Sequence, residues 1–340
     1  MTREEVLEAL KNVQDPELKR DIVALGMVRD IQIEGTKIFV RLEVTTASSQ
    51  LREALHAQVK QVLMAQRGVE DVTVQIGAPA RGASAFAPKY PIPGVRHIVA
   101  VASGKGGVGK TTVAVNLALS LAELGFRVGL MDGDIYGPNV PIMLGVSLDA
   151  RPRVNAEQKI IPIEAYGLKM ISMGVLVPAD QPMVWRGPML HSAVTQFLQK
   201  VDWGELDFLL VDLPPGTGDV QLSLVQTVPL TGAVIVTTPQ EVALMDVRKG
   251  ILMFQKTEVP ILGVIENMSG DIFGAGGGEK AARQFEVPFL GSVPLDARVR
   301  QGGDAGLPVS SCQKDLEVSR RLLQMAKQLT ENLKKAMTSA

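Results

Sequence analysis

A glycine- and lysine-rich stretch around residue 104 carries the most specific chemical signal in the chain. Residues 104–111 read Gly-Lys-Gly-Gly-Val-Gly-Lys-Thr, which fits the G-x-x-x-x-G-K-[ST] pattern of a phosphate-binding loop. The glycines let the backbone turn its N–H groups toward a polyphosphate, and the helix that begins near Lys110 directs its N-terminal dipole at the same anion. We expect Lys110 to reach the β- and γ-phosphates and the Thr111 hydroxyl to bind Mg²⁺.

The context of this loop supports the phosphate-binding interpretation over a glycine-rich turn that binds nothing. A short apolar run precedes it, and an apolar helical segment from Val113 to Leu124 follows it. Lys105 is a second lysine inside the loop that an ordinary phosphate loop does not need, so it is either functional or a surface lysine. The predicted nucleotide contacts of the loop are Gly104, Gly106, Gly107, Val108, Gly109, Lys110, Thr111 and Thr112.

Carboxylates follow two further apolar runs. Asp132 ends the run 128–132, and Asp134 stands two residues later, so both can face a Mg²⁺–nucleotide. Asp212 ends the run 208–212, which is the geometry of a Walker B aspartate that binds Mg²⁺ directly or through water. The predicted metal ligands are therefore Thr111, Asp132 and Asp212. The Pro-Pro-Gly-Thr-Gly run after Asp212 suits a switch loop in which Gly216 presents its N–H to the γ-phosphate.

The elements that must position these residues alternate between apolar strands and helical stretches. Near-continuous apolar strands separated by helices predict a parallel sheet covered on both faces, a doubly wound α/β fold that binds ligands at the carboxyl ends of its strands. Each motif lies just past such an end. The candidate strands are residues 98–102, 128–132, 208–212, 233–237, 261–265 and 289–293.

The first 76 residues predict a separate small α+β domain. Thr2 and Glu5 have the spacing of a capping box, which begins a helix. Alternating runs at 27–33, 37–44 and 69–76 read as strands, with a helix from Ser48 or Ser49 to about Arg67, so the order is α-β-β-α-β. The proline- and glycine-containing residues 77–95 predict a linker, and residues 96–340 predict the domain that carries the phosphate loop.

Composition limits the remaining function classes. The chain has 340 residues with 46% apolar and 4% aromatic content, and its net charge of -1 leaves no electrostatic footprint for nucleic acid. The single cysteine, Cys312, excludes an intramolecular disulfide framework. The charged N-terminus shows no secretory signal, and no uncharged apolar run approaches the ~20 residues of a membrane span. These features predict a soluble cytoplasmic protein.

The motifs together identify a family resemblance over roughly residues 96–335. The loop with Lys105 resembles the deviant phosphate loop of the MinD/ParA ATPases. Met-Asp-Gly-Asp-Ile-Tyr-Gly-Pro-Asn from residue 131, Asp-Leu-Pro-Pro-Gly-Thr-Gly-Asp from 212 and Glu-Asn-Met-Ser from 266 resemble, more closely, the Mrp/ApbC iron–sulfur carrier ATPases. The small N-terminal domain is similar to the one that precedes the ATPase in many Mrp proteins.

This resemblance implies a slow, ATP-hydrolysing homodimer with Lys105, Lys110 and Asp134 as catalytic residues. Lys105 would reach the phosphates of the facing subunit, and Asp134 would position the attacking water. The strand-end loops would hold the base and ribose, which assigns base contacts to Asn267, Pro294 and Asp296. An asparagine amide can donate to and accept from the adenine edge. There is no Asn-Lys-x-Asp guanine motif, so ATP is favoured over GTP.

The chain departs from the family at its iron–sulfur site. Members usually place a Cys-x-x-Cys just after Glu-Asn-Met-Ser, so that two subunits bridge a [4Fe–4S] cluster with four thiolates. Here residues 269–278 contain no cysteine, and Ser49 stands where the small domain usually has one. With Cys312 alone, a homodimer has two cysteines, so a protein-only four-thiolate site cannot be built.

Three interpretations stay open at this point. The first is an Mrp-type ATPase that serves iron–sulfur apoproteins and either uses a cysteine-bearing scaffold or binds cluster weakly. The second is an Mrp-like, nucleotide-switched scaffold without iron–sulfur work. The third is a MinD/ParA-like switch on a membrane surface or partner protein. The last interpretation depends on the amphipathic basic segment 316–337, which otherwise docks on the sheet as a closing helix. Docking is favoured because the segment lacks aromatic residues.

Overall fold

Contacts divide the chain into two compact units, Met1–Ala85 and Phe86–Ala340, and each is described separately. Residues 78–90 of the predicted linker lie outside the described residues. Ile92, near the end of that segment, is buried in the core of the larger unit. The computed structural model describes residues 2–15, 21–25, 27–43, 49–66, 68–77, 91–134, 137–147, 149–172, 198, 200–216, 221, 222, 225 and 228–338.

The smaller unit has the predicted order of elements. Thr2 forms the expected capping box, since its hydroxyl accepts from the Glu5 N–H at 3.3 Å and its own N–H donates to the Glu5 carboxylate at 2.7 Å. β1 and β2 pair antiparallel, and β2 and β3 pair parallel. The elements are α1 (Arg3–Leu10), β1 (Val28–Glu34), β2 (Lys37–Glu43), α2 (Ser49–Met64) and β3 (Asp71–Gly77).

The larger unit contains an eight-stranded sheet with spatial order β11-β10-β9-β4-β8-β5-β7-β6. The pairs we describe are parallel except β6 with β7, at one edge. Its strands are β4 (Val95–Ala102), β5 (Val128–Asp132), β6 (Ile163–Ala165), β7 (Leu168–Ser172), β8 (Leu206–Asp212), β9 (Gly232–Thr237), β10 (Ile261–Ser269) and β11 (Phe289–Pro294).

All six predicted strands are confirmed, and the edge pair β6–β7 is an addition that the sequence analysis missed. These two strands are short and carry charged residues, Glu164 and Lys169, so their apolar pattern is weak. Tyr166 and Gly167 join them, and both have positive φ, 51° and 76°. That backbone is the one a two-residue hairpin requires.

Helices cover both faces of the sheet, as the apolar strands predicted. Val99 and Val101 of β4 point into one core, while Ile98 and Ala100 point into the other. Helices α3, α4, α8 and α9 contribute to the first core, and α5 and α6 to the second. The helices described in this unit are α3 (Lys110–Glu123), α4 (Val140–Met143), α5 (Glu241–Lys256), α6 (Gly277–Gln284), α7 (Ala297–Ala305), α8 (Val309–Cys312) and α9 (Glu317–Thr338).

The amphipathic segment at the C-terminus docks on the sheet. Leu322, Met325 and Leu329 of α9 are buried in the core with α3, and the exposed side carries Arg320 and Lys327. The apolar stripe that a membrane would need is therefore already covered by protein. Within the described part of the chain, no helix has the length and apolarity to cross a bilayer.

The docking of α9 predicts a large loss of stability when its apolar stripe is shortened. Leu329→Ala should lower the free energy of unfolding by about 2–5 kcal/mol, because Leu329 is fully buried. Urea unfolding followed by tryptophan fluorescence measures this, since Trp185 and Trp203 both belong to the larger unit. The control Met337→Ala, at an exposed position of the same helix, should stay within ~0.5 kcal/mol of the unaltered chain. Equal effects of the two variants would contradict the docking.

Candidate nucleotide-binding site

The register of the parallel strands brings the predicted residues to one edge of the sheet. Asp132 on β5 pairs directly with Asp212 on β8, and Asp212 pairs in turn with Val101 on β4, just before the phosphate loop. Parallel neighbours end together, so chemistry from segments more than 100 residues apart meets at this edge.

The loop between β4 and α3 has the backbone that its glycines permit. Gly107 and Gly109 have φ of 81° and 77°, and Gly109 is the N-cap of α3. A side chain at Gly104 would overlap the backbone of Asp246 on α5, and one at Gly109 would overlap the Asn267 amide. Glycine is therefore required at position 109 for two reasons: its backbone has a positive φ, and Asn267 leaves no space for a Cβ.

Lys110, Thr111 and Asp212 form a buried hydrogen-bonded group behind the loop. The Lys110 ammonium donates to Asp212 Oδ1 at 2.5 Å, and the Thr111 hydroxyl donates to Asp212 Oδ2 at 2.7 Å. Lys110 is 6% exposed, and Asp212 is fully buried. The predicted loop lysine, loop threonine and Walker B aspartate are thus brought together by the structure.

Burial raises the pKa of Asp212, because desolvation disfavours its charged form. The charge and hydrogen bond of Lys110 oppose this rise, as does the hydrogen bond from Thr111. The negative charge of Asp134 adds to the rise, so Asp134 lies near enough to share the electrostatics of the site. The lysine therefore compensates a carboxylate that would otherwise be costly to bury.

Asp132 is a second buried carboxylate, and it organises the loop that carries Asp134. Its Oδ1 accepts from the Asp134 N–H at 3.1 Å, and its Oδ2 accepts from the Val140 N–H at 3.4 Å and the Ser172 hydroxyl at 3.0 Å. Both oxygens thus hold protein donors, and its part in the metal shell stays a prediction. Ser172, at the end of β7, gave no signal in the sequence.

Asp134 and Gly216 lie on the loops that follow β5 and β8, and the notable motifs of both loops resemble the switch loops of the family. Asp134 is half-buried and its carboxylate accepts from the Gly137 N–H at 3.2 Å. The Gly216 N–H donates to the Ser103 carbonyl at 3.1 Å, so it must leave that bond before it can reach a phosphate. Gly216 has φ of 99°, which glycine adopts without strain. Residues 135, 136 and 217–220 of these loops lie outside the described residues.

A cavity of about 170 Å³ adjoins the loop and contains all three predicted base contacts. Asn267, Pro294 and Asp296 line it together with Thr112 of the loop, so four of the predicted nucleotide contacts share this cavity. The other lining residues, which sequence reasoning missed, come mostly from α4 and α7: Met143, Met268, Leu295, Val299, Arg300, Gly303 and Asp304.

Asn267 is placed differently from the prediction, and Asp296 follows its strand as predicted but already has a partner. Asn267 lies within β10 rather than after it, because this strand runs on to Ser269, and its amide nitrogen donates to the Val108 carbonyl at 2.9 Å. Because one of the two N–H donors of the Asn267 amide is used in that bond, only the other remains for a base. Asp296 is the N-cap of α7 and pairs with Arg298, whose hydrogen bonds lower the pKa of the carboxyl group. Its carboxylate is thus already engaged.

Lys105 is half-exposed on the loop, and its carbonyl accepts from the Ser103 hydroxyl at 2.9 Å. This hydrogen bond fixes the backbone at the residue that distinguishes the loop from an ordinary one. The catalytic role of the Lys105 ammonium stays a prediction.

The segment after Glu-Asn-Met-Ser forms a hairpin that contains no cysteine. Gly270 and Gly274 exchange two backbone hydrogen bonds of 2.9 and 2.7 Å, which makes a tight hairpin with Ile272 exposed at its tip. The buried Glu266 carboxylate then accepts from the N–H groups of Gly276 and Gly278 at the start of α6.

Cys312 lies elsewhere, exposed in α8, with its sulfur 3.9 Å from the Tyr166 hydroxyl. Across the described residues, no group of three or more His, Cys, Asp or Glu side chains is arranged to hold a metal ion. The cysteine is therefore not part of a preformed metal centre in this part of the chain.

The phosphate loop, the buried Walker B aspartate and the parallel sheet define a P-loop NTPase. The model of the NUBPL iron-transfer P-loop NTPase family matches residues 94–330, and that of the iron–sulfur cluster assembly protein family matches residues 3–76. The chain belongs to the Mrp-type iron–sulfur cluster carrier family, as its motifs predicted.

Individual relatives agree with this assignment. The iron–sulfur cluster carrier protein of Deinococcus radiodurans is 51% identical over 334 residues, which cover 95% of this chain and 93% of that protein. A nucleotide-binding protein of Archaeoglobus fulgidus in complex with ADP is 35% identical, with a TM-score of 0.57 over 64% of this chain and 88% of that one. The cell division ATPase MinD of Pyrococcus furiosus is 25% identical, with a TM-score of 0.56 over 69% and 98%.

The buried Asp132 predicts a pH-dependent stability. Burial raises its pKa to about 7, and the charge of Asp212 adds to this rise. Between its ordinary pKa of ~4 and 7, the folded chain holds a proton that the unfolded chain has released, so this contribution to stability falls as the pH rises through that window.

The stability of the unaltered chain should therefore fall relative to Asp132→Asn by up to about 1.4 kcal/mol per pH unit between pH 4 and 7. Urea unfolding at several pH values, without nucleotide and with EDTA present, measures the difference. Asp149→Asn, at an exposed position, is the control and should follow the unaltered chain. Parallel profiles for the unaltered chain and Asp132→Asn would contradict the assignment of this proton.

Proposed function

We propose that this chain binds and hydrolyses ATP in a slow, nucleotide-switched cycle that serves iron–sulfur cluster assembly and transfer to apoproteins. The observation that carries the proposal is the buried group of Lys110, Thr111 and Asp212 behind an intact phosphate loop. The cavity beside it supports a nucleotide as the ligand, because its lining is mainly apolar with a few polar groups, which suits a base.

The residues take distinct roles in this cycle. Lys110 leaves Asp212 in part to bind the β- and γ-phosphates, and Asp134 orients the attacking water. The oxygen atoms of Thr111 and Asp212, 2.7 Å apart, are the donors that Mg²⁺ prefers, so these two residues would hold it. When bound, Mg²⁺ supplies positive charge to the β- and γ-phosphate oxygens.

We further propose that the active form is a homodimer in which Lys105 acts across the interface. Its position in the phosphate loop and its partial exposure support this role, because a lysine there can reach phosphates that its own loop does not bind. In this proposal residues 1–76 act as a separate domain, residues 77–95 as its linker and residues 96–340 as the ATPase.

Substitution of the two loop lysines separates binding from hydrolysis. Lys110→Ala should raise the dissociation constant for ATP at least about tenfold, the value of one lost charge-assisted hydrogen bond. Lys105→Ala should keep most of the binding but lower hydrolysis by about 10³-fold, as expected for a cation supplied in trans. Equilibrium binding and single-turnover hydrolysis measure the two effects.

Lys327→Ala is the matched control for these variants, because it removes an exposed lysine on α9, away from the loop. It should leave both measurements unchanged. Hydrolysis at the unaltered rate by Lys105→Ala would overturn the role of that lysine.

We propose that the thiolates for the cluster come mainly from a client or scaffold protein. The hairpin at Gly270–Gly274 offers no sulfur, and Cys312 is the only cysteine in the sequence. The cluster is therefore cargo that this chain helps to move rather than a group that it encloses with four of its own cysteines.

Anaerobic reconstitution with iron and sulfide tests this assignment. The unaltered chain should retain no stable [4Fe–4S] cluster after gel filtration, as measured by iron and sulfide content and visible absorption. Addition of a cysteine-bearing scaffold should restore cluster to the complex. A stable brown dimer formed by Cys312→Ser alone would overturn the proposal, because no thiolate would remain to hold the iron.

A further inference from the structure

Helix α4 connects the base cavity with the loop that carries Asp134. This four-residue helix begins at Val140, whose N–H donates to Asp132, and ends at Met143, whose side chain lines the cavity. The N-terminal end of α4 therefore adjoins the loop that carries Asp134, and its C-terminal end lines the cavity proposed for the base.

The switch loop is held at both of its ends by the same carboxylate. The N–H of Asp134, near the start of the loop, donates to one oxygen of Asp132, and the N–H of Val140, just after the loop, donates to the other. A displacement of α4 therefore changes the length and direction of the second hydrogen bond, and with it the position of the carboxylate that also holds the Asp134 N–H.

The opposite side of α4 lies against α7, which forms a wall of the cavity. A side chain at Gly306 would lie 2.5 Å from the Gly145 Cα, so the backbones touch at this end of the two helices. A Cβ at Gly303 would lie 3.7 Å from the Met143 Cγ, an ordinary contact distance, so a methyl-sized space separates the methionine from the α7 backbone. The Tyr166 hydroxyl, by donating to the Gly306 carbonyl at 2.6 Å, holds this end of α7 in place.

Met143 is the movable part of this contact. It is half-buried and packs at the margin of the core, whereas Val140, one turn earlier, is fully buried. Methionine has three rotatable bonds and adapts to the shape of a ligand, so a base that enters the cavity must contact or displace it. The backbones of α4 and α7 touch at Gly145 and Gly306, which fixes that end of α4. A base that presses on Met143 therefore acts on the Val140 end of the helix.

We propose that Met143 is a positioning residue that makes the placement of Asp134 depend on the base of the nucleotide. This inference rests on the proposed function, since it takes the cavity as the base site. It extends that function by giving the base a part in hydrolysis as well as in binding: the base selects the arrangement of the Asp134 loop in which water is correctly placed.

A substrate without a base separates this role from simple binding. We would compare the steady-state kinetics of hydrolysis of ATP and of inorganic tripolyphosphate with Mg²⁺ by the unaltered chain, Met143→Ala and Met143→Leu. Met143→Ala should lower kcat for ATP at least about fivefold, the lower end of coupling between sites, with a smaller change in KM and no change with tripolyphosphate. Met143→Leu should restore most of the rate, because it refills the contact.

Ile142→Ala is the matched control. Ile142 is the neighbouring residue of the same helix, is 40% exposed and does not line the cavity, so this variant should behave like the unaltered chain. Hydrogen exchange at the Val140 amide gives a readout that does not need turnover. Its exchange should slow more with ADP than with pyrophosphate in the unaltered chain, and equally with both in Met143→Ala.

The outcomes distinguish the inference from the function on which it rests. A rise in KM with kcat unchanged would show that Met143 only binds the base, and an equal loss with both substrates would show a structural role; either result overturns the inference. Failure of the unaltered chain to bind or hydrolyse ATP would overturn the proposed function, and the inference with it.

Discussion

The buried carboxylate of Asp212 is the constraint on which the nucleotide site depends. It lies at the end of a central strand with no exposure to water, and such a charge is tolerated only with a partner and hydrogen bonds. Lys110 and Thr111 supply both, so the start of α3 is tied to the end of β8. The phosphate loop between β4 and α3 is consequently held in shape, because the buried charge of Asp212 on β8 requires the partners that Lys110 and Thr111 supply.

A second buried carboxylate, on the neighbouring strand β5, also requires hydrogen-bond donors. Asp132 is in register with Asp212 and equally buried, but it has no lysine and is stabilised by donors from Asp134, Val140 and Ser172. A lysine holds the phosphate loop, whereas backbone N–H groups hold the switch loop. The second arrangement is weaker and more easily rearranged, which suits a loop that responds to nucleotide.

The motifs for nucleotide binding are present in this chain, whereas the cysteines for cluster binding are not. The nucleotide side has the phosphate loop and the strand-end aspartates, while the hairpin at Gly270–Gly274 contains no cysteine. Glu266 holds the segment just after the hairpin, at Gly276 and Gly278. This contrast agrees with the proposal that a partner supplies the sulfur.

Local chemistry determined what the sequence alone could predict. The phosphate loop, the aspartates at strand ends and the Thr2 capping box each depend on a few adjacent residues, so their types and spacing fix both structure and role. The parallel fold followed from long apolar runs. Ser172, Met143 and the continuation of β10 through Asn267 were decided only by the tertiary structure. These features arise from contacts between segments distant in the sequence, whose own patterns are too short or too ordinary to indicate where they pack.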